Sequence, residues 1–199
     1  GGVGTATVTI QVESSLNSAP VISAFPVTVA KYTENAAPVV IGGGSVSDAD
    51  LVDFDGGTLT ASITEGGTAE DRLSLKHIGF ALRQIGVVGN TITYGTDGTP
   101  ENALVIATFT GGEGIEPLVI TFNSDAMAVH VTAVLRAVTF SNISDNPATD
   151  PRTIRFEVTD GDGATSDAVF RTINVIAKND APVLITAGNV VNYTEGSDA

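Results

Sequence analysis

The sequence predicts an all-β fold, an antiparallel Greek-key β-sandwich with one short helix in an insertion. Three observations predict it. Apolar and polar residues alternate with period two through many short runs, as in strands with one buried face. Clusters of Gly, Asn, Asp and Pro separate these runs and supply turns. A single stretch shows instead the three- and four-residue spacing of a helix.

The elements follow in chain order. Ala6, Val8, Ile10 and Val12 alternate with Thr5, Thr7, Thr9 and Gln11, which predicts a half-buried strand. The junction Asn17-Ser18-Ala19-Pro20-Val21-Ile22 comes next, then Tyr32-Thr33-Glu34. Leu59, Ala61 and Ile63 alternate with Thr58, Thr60, Ser62 and Thr64. Shorter strand signals lie at 84–94, 103–110, 118–122 and 138–141. Between 124 and 137, the spacing of Met127, Val131, Val134 and Leu135 predicts a helix of about three turns. Ser124 suits its N-cap and Asp125 its positive end. Met127 is expected in the core and His130 at the surface or boundary. Ile154, Phe156 and Val158 then alternate with Thr153, Arg155 and Glu157. A turn cluster, Thr159-Asp160-Gly161-Asp162-Gly163, leads into an apolar run at 168–176 and the junction Asn179-Asp180-Ala181-Pro182-Val183.

The two junctions match. Each Asn-x-Ala-Pro-Val is followed by Tyr-Thr-Glu, at Tyr32 and again at Tyr193, and both landmarks recur after roughly 160 residues. The expected organisation is therefore the last strand of a preceding repeat at 1–16, a complete repeat at 17–178, and a linker with the first strand of a following repeat at 179–199. The start, Gly1-Gly2-Val3-Gly4, has neither the basic segment nor the apolar core of a signal peptide. It reads as a piece of a longer chain.

Composition narrows the function. Nine basic against 23 acidic residues give a net charge of −14. That argues against nucleic acid or anionic membrane surfaces as partners, since both require positive charge. It suits hard cations, which take oxygen ligands. The chain has no cysteine, so disulfides and thiolate metal sites are impossible. No apolar run approaches the roughly 20 residues of a membrane helix, so no membrane insertion is expected. Two histidines without cysteine are poor material for a zinc site or a hydrolase triad, and no enzyme activity is expected.

Acidic residues form three groups. Asp48 and Asp50 are followed by Asp53 and Asp55; Asp160 stands beside Asp162; Glu34, Asp145, Asn146, Asn179 and Asp180 are scattered. Calcium takes six to eight oxygens, several from carboxylates, and short Asp- and Gly-rich loops deliver them. Asp and Asn equally make turns without metal, and Asp53, Asp55 and Asp97 are read that way. Gly111-Gly112-Glu113-Gly114-Ile115-Glu116 is one glycine-rich unit, insufficient to stack into a β-roll, and is read as a turn.

The stretch 158–184, a carboxylate-rich hairpin loop, a strand and an Asn-Asp-x-Pro junction, resembles the last hairpin of a cadherin-like domain and the linker after it. The longer bacterial cadherin-like repeats of giant RTX-type adhesins are most similar, through phrases such as Phe54-Asp55-Gly56-Gly57-Thr58-Leu59 and Pro117-Leu118-Val119-Ile120-Thr121-Phe122. The resemblance implies a cadherin- or immunoglobulin-like sandwich that binds Ca2+ at both ends. At the entrance end it assigns Asp48, Asp50 and Asp160, with linker oxygens near Asn17 and with Asp162 in the same loop. At the exit end it assigns Glu34, Asp145, Asn179 and Asp180. The chain departs from the family at Ser18, where an Asp would stand, and at Asn146-Pro147, where a Glu would follow Asp145. Fewer or weaker ions than in animal cadherins are expected. The implied function is an extracellular, secreted or cell-surface spacer in adhesion, whose partners are neighbouring repeats of the same chain. The alternative is a module that binds cell-surface or matrix polysaccharide, or protein, through the helix-bearing insertion.

Overall fold

The computed structural model describes residues 1, 2, 4 and 17–179. The strand expected at 6–12, Asp180 and the expected start of a following repeat lie outside them. The described chain is predominantly β. Its strands are β1 (Val21–Ser23), β2 (Ala30–Thr33), β3 (Val39–Val40), β4 (Ser45–Ser47), β5 (Thr58–Glu65), β6 (Asp71–Leu75), β7 (Ile85–Val88), β8 (Thr91–Tyr94), β9 (Leu104–Thr110) and β10 (Leu118–Phe122). The helix α1 (Ala128–Ala137), then β11 (Val138–Asn142), β12 (Arg152–Thr159) and β13 (Val169–Ile176), complete the order.

An eight-stranded sheet runs β2-β13-β12-β5-β10-β9-β8-β7, a three-stranded sheet runs β3-β11-β6, and β1 pairs with β4. All pairings are antiparallel except β2 with β13, where Ile173 to Ile176 align with Ala30 to Thr33. The alternation read in the sequence sets the faces: Ile154, Phe156 and Val158 are fully buried, and so are Leu59 and Ala61 on β5. In β12 the same inward phase carries Arg152, also fully buried.

Side chains of Tyr32 and Arg152 help join the large sheet to the three-stranded one. Tyr32 meets the Phe140 ring edge-on at 5.6 Å, and its hydroxyl donates to the Asn142 carbonyl at 2.9 Å. Arg152 Nε donates to Asp71 Oδ2 at 3.1 Å with both side chains fully enclosed, and Asn142 Nδ2 donates to Asp71 Oδ1 at 2.7 Å. A charge taken out of water needs such a partner and hydrogen bonds around it.

The helix differs from the expectation at its start. Asn123 turns the chain first: its Oδ1 accepts the Asp125 N–H at 3.1 Å and its carbonyl the Ala126 N–H at 3.0 Å. Helical geometry begins only after Met127, whose φ of −97° and ψ of 169° are extended. Ser124 is therefore not the cap. The helical period does not reach back to Met127, which is 53% exposed, while Val131, Val134 and Leu135 are fully buried as expected. His130 is buried instead of lying at the surface or boundary, because it folds over the helix start: its Nδ1 lies 3.0 Å from the Met127 N–H and 3.0 Å from the Asp125 carbonyl. Its ring meets Tyr94 in a tilted contact, with centroids 4.5 Å apart.

Candidate metal centres

Strand register places the predicted ligands among the described residues at two opposite ends. The Phe25 ring packs at a tilt against Phe156 at 5.0 Å, and Phe156 pairs with Val169. From there the chain runs along β13 through Pro26 and Thr28, both of which take Arg171 Nη1, to the pairing of Ala30 with Ile173. Residues before Phe25 thus lie toward the end where β12 finishes. Val21 pairs there with Ser47, the last residue of β4. So 17–20, 48–50 and 160–162 share the entrance end. Thr33, at the opposite end, pairs with Ile176, and the Glu34 N–H donates to the Ile176 carbonyl at 2.9 Å.

At the entrance end, Asp48 Oδ1 accepts the N–H groups of Asp50 at 3.1 Å and Leu51 at 3.2 Å. Asp48 Oδ2 is buried without a hydrogen-bond partner. Asp160 is 3% exposed. Its Oδ1 accepts the N–H groups of Asp162 at 3.0 Å and Ala164 at 2.8 Å, and its Oδ2 is likewise buried without a partner. The exposed Asp50 takes the Ser18 N–H at 3.1 Å. That backbone hydrogen bond, helped by the Asp48 contact and against the opposing effect of desolvation, holds the Asp50 carboxyl below its ordinary pKa. It also ties the segment at Ser18 to the loop of Asp48 and Asp50. Asn17 and Asp162 are exposed. The turn before β5 seats against the Asp160 loop so closely that a Cβ on Gly161 would lie 1.8 Å from the Asp55 carbonyl oxygen.

At the exit end, Glu34 is fully buried. Its Oε2 accepts the Lys178 N–H at 2.7 Å, and its Oε1 is buried without a partner. Asp145 and Asn179 are exposed. The loop carrying Asp145 starts from Asn142, whose carbonyl takes the Tyr32 hydroxyl two residues before Glu34.

One pattern separates these residues from the other acids. Among the described residues, the buried carboxylate oxygens without a partner are Glu34 Oε1, Asp48 Oδ2 and Asp160 Oδ2, all on predicted ligands. In each, one oxygen is held by backbone N–H groups and the other is bare. The acids read as turn formers behave differently. Asp53 Oδ1 accepts the Asp55 N–H, and both Asp97 oxygens are engaged, by Thr99 and by Asn102. The Thr99 N–H leads the contacts that lower the Asp97 pKa. A charged oxygen enclosed without a donor is costly, and a bound cation removes that cost. The donor set, all oxygen with no sulfur, fits calcium. Among the described residues, however, no three His, Asp or Glu side chains gather into one cation-sized group. The carboxylates share an end without closing a cage, so an ion there would draw further oxygens from backbone, water or an adjoining repeat.

The sequence reading missed the buried Asp71–Arg152–Asn142 network. A signal for half of it existed: Arg152 lies in phase with Ile154, Phe156 and Val158, so its side chain had to face inward. Nothing local marks Asp71. The chain matches no protein-family model, and no curated protein or solved structure shows significant similarity to it.

Proposed function

We propose that this chain is a calcium-stiffened spacer repeat of a large extracellular bacterial adhesin, built as a Greek-key, cadherin-like sandwich. The observation that carries the reading is the set of bare, buried carboxylate oxygens on Asp48, Asp160 and Glu34, divided between the two ends. The parallel pairing of β2 with β13 supports it, because the chain then enters at one end and leaves at the other. Calcium at the entrance would join the linker at Asn17 and Ser18 to the loops of Asp48, Asp50 and Asp160, with Asp162 at the rim. At the exit, Glu34, Asp145, Asn179 and Asp180 would share an ion with the next repeat. The work of the ions is charge neutralisation and bracing: loops that repel one another without a cation are held in one geometry with it. The partners are neighbouring repeats. The ligand of the whole adhesin lies elsewhere in the parent protein.

Calcium titration by calorimetry tests the reading. The wild-type chain should bind calcium, and Asp48→Asn/Asp160→Asn should lose the tighter binding while retaining its fold. Equal heats from both proteins would refute the entrance site.

A further inference from the structure

A cavity of about 330 Å³ opens between α1 and the β7–β8 hairpin. Ile78, Ile85, Val129 and Ala133 make its wall largely apolar, Tyr94 and Thr132 add two hydroxyls, and two arginines, Arg83 and Arg136, also line it. Two of only nine basic residues thus meet in one pocket of a chain with net charge −14. Among the described residues neither has an acidic partner. Arg136 Nε donates to the Gly44 carbonyl at 2.6 Å, which fixes the side chain and leaves its terminal nitrogens without a protein acceptor. Arg83 sits at φ +67°, a left-handed conformation unusual for a side-chain-bearing residue. It is held there by surrounding backbone: its N–H donates to Gly95 O at 3.0 Å, and Gly95 N–H returns to Gln84 O at 2.8 Å. Such conformations persist where the surroundings over-determine them, often around ligands.

We propose that this pocket binds a small carboxylate with an apolar body. Guanidinium groups match carboxylates in charge and in forked geometry. The volume is at the lower end for ligand pockets, which favours a small molecule over a polymer. The apolar wall favours a hydrocarbon body over a polyhydroxylated sugar acid. The pocket shares no residue with either carboxylate end, so it stands apart from the calcium reading.

The probe is N-acetyl-L-leucine, titrated into isotope-labelled protein and followed by NMR. Saturable shifts are expected at the amides of Arg83, Val129, Thr132 and Ala133. N-acetyl-L-leucinamide, which lacks the charge, should bind at least tenfold more weakly. Arg136→Gln and Arg83→Asn should each weaken the acid about tenfold; Asn is chosen because it tolerates the left-handed backbone. Equal binding of acid and amide, tighter binding of galacturonate, or no saturable shift at millimolar probe would overturn the proposal. If Arg136→Gln disturbs the fold through Gly44, Arg83→Asn and the acid–amide comparison decide it alone.

Discussion

An aspartate's neighbours, not its identity, decide what it does in this chain. Asp53 and Asp97 have their turns to hold, whereas Asp48, Asp160 and Glu34 each hold a turn or strand end with one oxygen and leave the other bare in the interior. This difference yields a crossover. With chelator present, Asp160→Asn should leave stability unchanged or raise it, since an uncompensated buried charge is removed. With calcium, the wild type should gain about 2.7 kcal/mol at a hundredfold excess over Kd, a gain the variant should lack. Denaturant melts under both conditions check it, and a variant equally destabilised in both would mean that Asp160 is only a turn former. The Asp71–Arg152 pair gives the opposite expectation. Asp71→Ala strands a buried guanidinium and should cost about 3–5 kcal/mol, with or without calcium. The candidate ligands were legible by residue type and loop, because Asp-x-Asp and Asp-Gly turns are local. The bare oxygens and the Asp71 pairing were not, because both arise from segments distant in sequence.

The helix shows how far local patterning reaches at the scale of the element. Its buried face was legible from Val131, Val134 and Leu135; its start was not, since the Asn123 turn and the His130 contact override the Ser124 signal. His130 Nδ1 can accept the Met127 N–H only when it carries no proton. Burial lowers its pKa below 6.5, against an opposing pull from the Asp125 carbonyl and carboxylate. The unfolded chain therefore takes up a proton at a higher pH than the folded one. Stability should be constant above that range and fall as pH drops through 6.5 toward the folded-state value. Melts between pH 7.5 and about 5 in chelator, where most carboxylates stay ionised, should show this fall in the wild type and not in His130→Asn. The helix is also seated closely: a Cβ on Gly42 would lie 1.8 Å from the Leu135 carbonyl oxygen, so Gly42→Ala should destabilise by about 1–3 kcal/mol. An unchanged urea midpoint would mean that the β3–β4 connection shifts freely.

The whole molecule is governed by the direction of its first and last strands. Individual strands were legible from alternation, but the extension of the large sheet through β10, β9, β8 and β7, and the separation of β3-β11-β6, depend on pairings between distant segments that no local pattern fixes. The parallel alignment of β2 and β13 puts the entrance at 17–20 and the exit near Lys178 at opposite ends. With eight residues in β12, these ends are separated by about 26 Å of strand. The junctions Asn17-Ser18-Ala19-Pro20 and Asn179-Asp180-Ala181-Pro182 are short, and each proline restricts its own φ and the residue before it. If the chain is one of a series of repeats, as proposed, copies that enter and leave at opposite ends through such junctions would stack into a line. On the proposed reading the bend at each joint stays free, and there Glu34 Oε1 of one repeat and Asp48 Oδ2 and Asp160 Oδ2 of the next would supply bare oxygens. A cation held between them would convert a hinge into a brace. A chain of two complete repeats should therefore scatter X-rays as an extended particle in calcium, with a maximum dimension about twice that of one repeat. In chelator its distance distribution should broaden and shorten, and Glu34→Gln in the first repeat should give the chelator profile even with calcium present. A two-repeat chain that stays compact in both conditions, or extended in both, would show that the joints are not set by calcium.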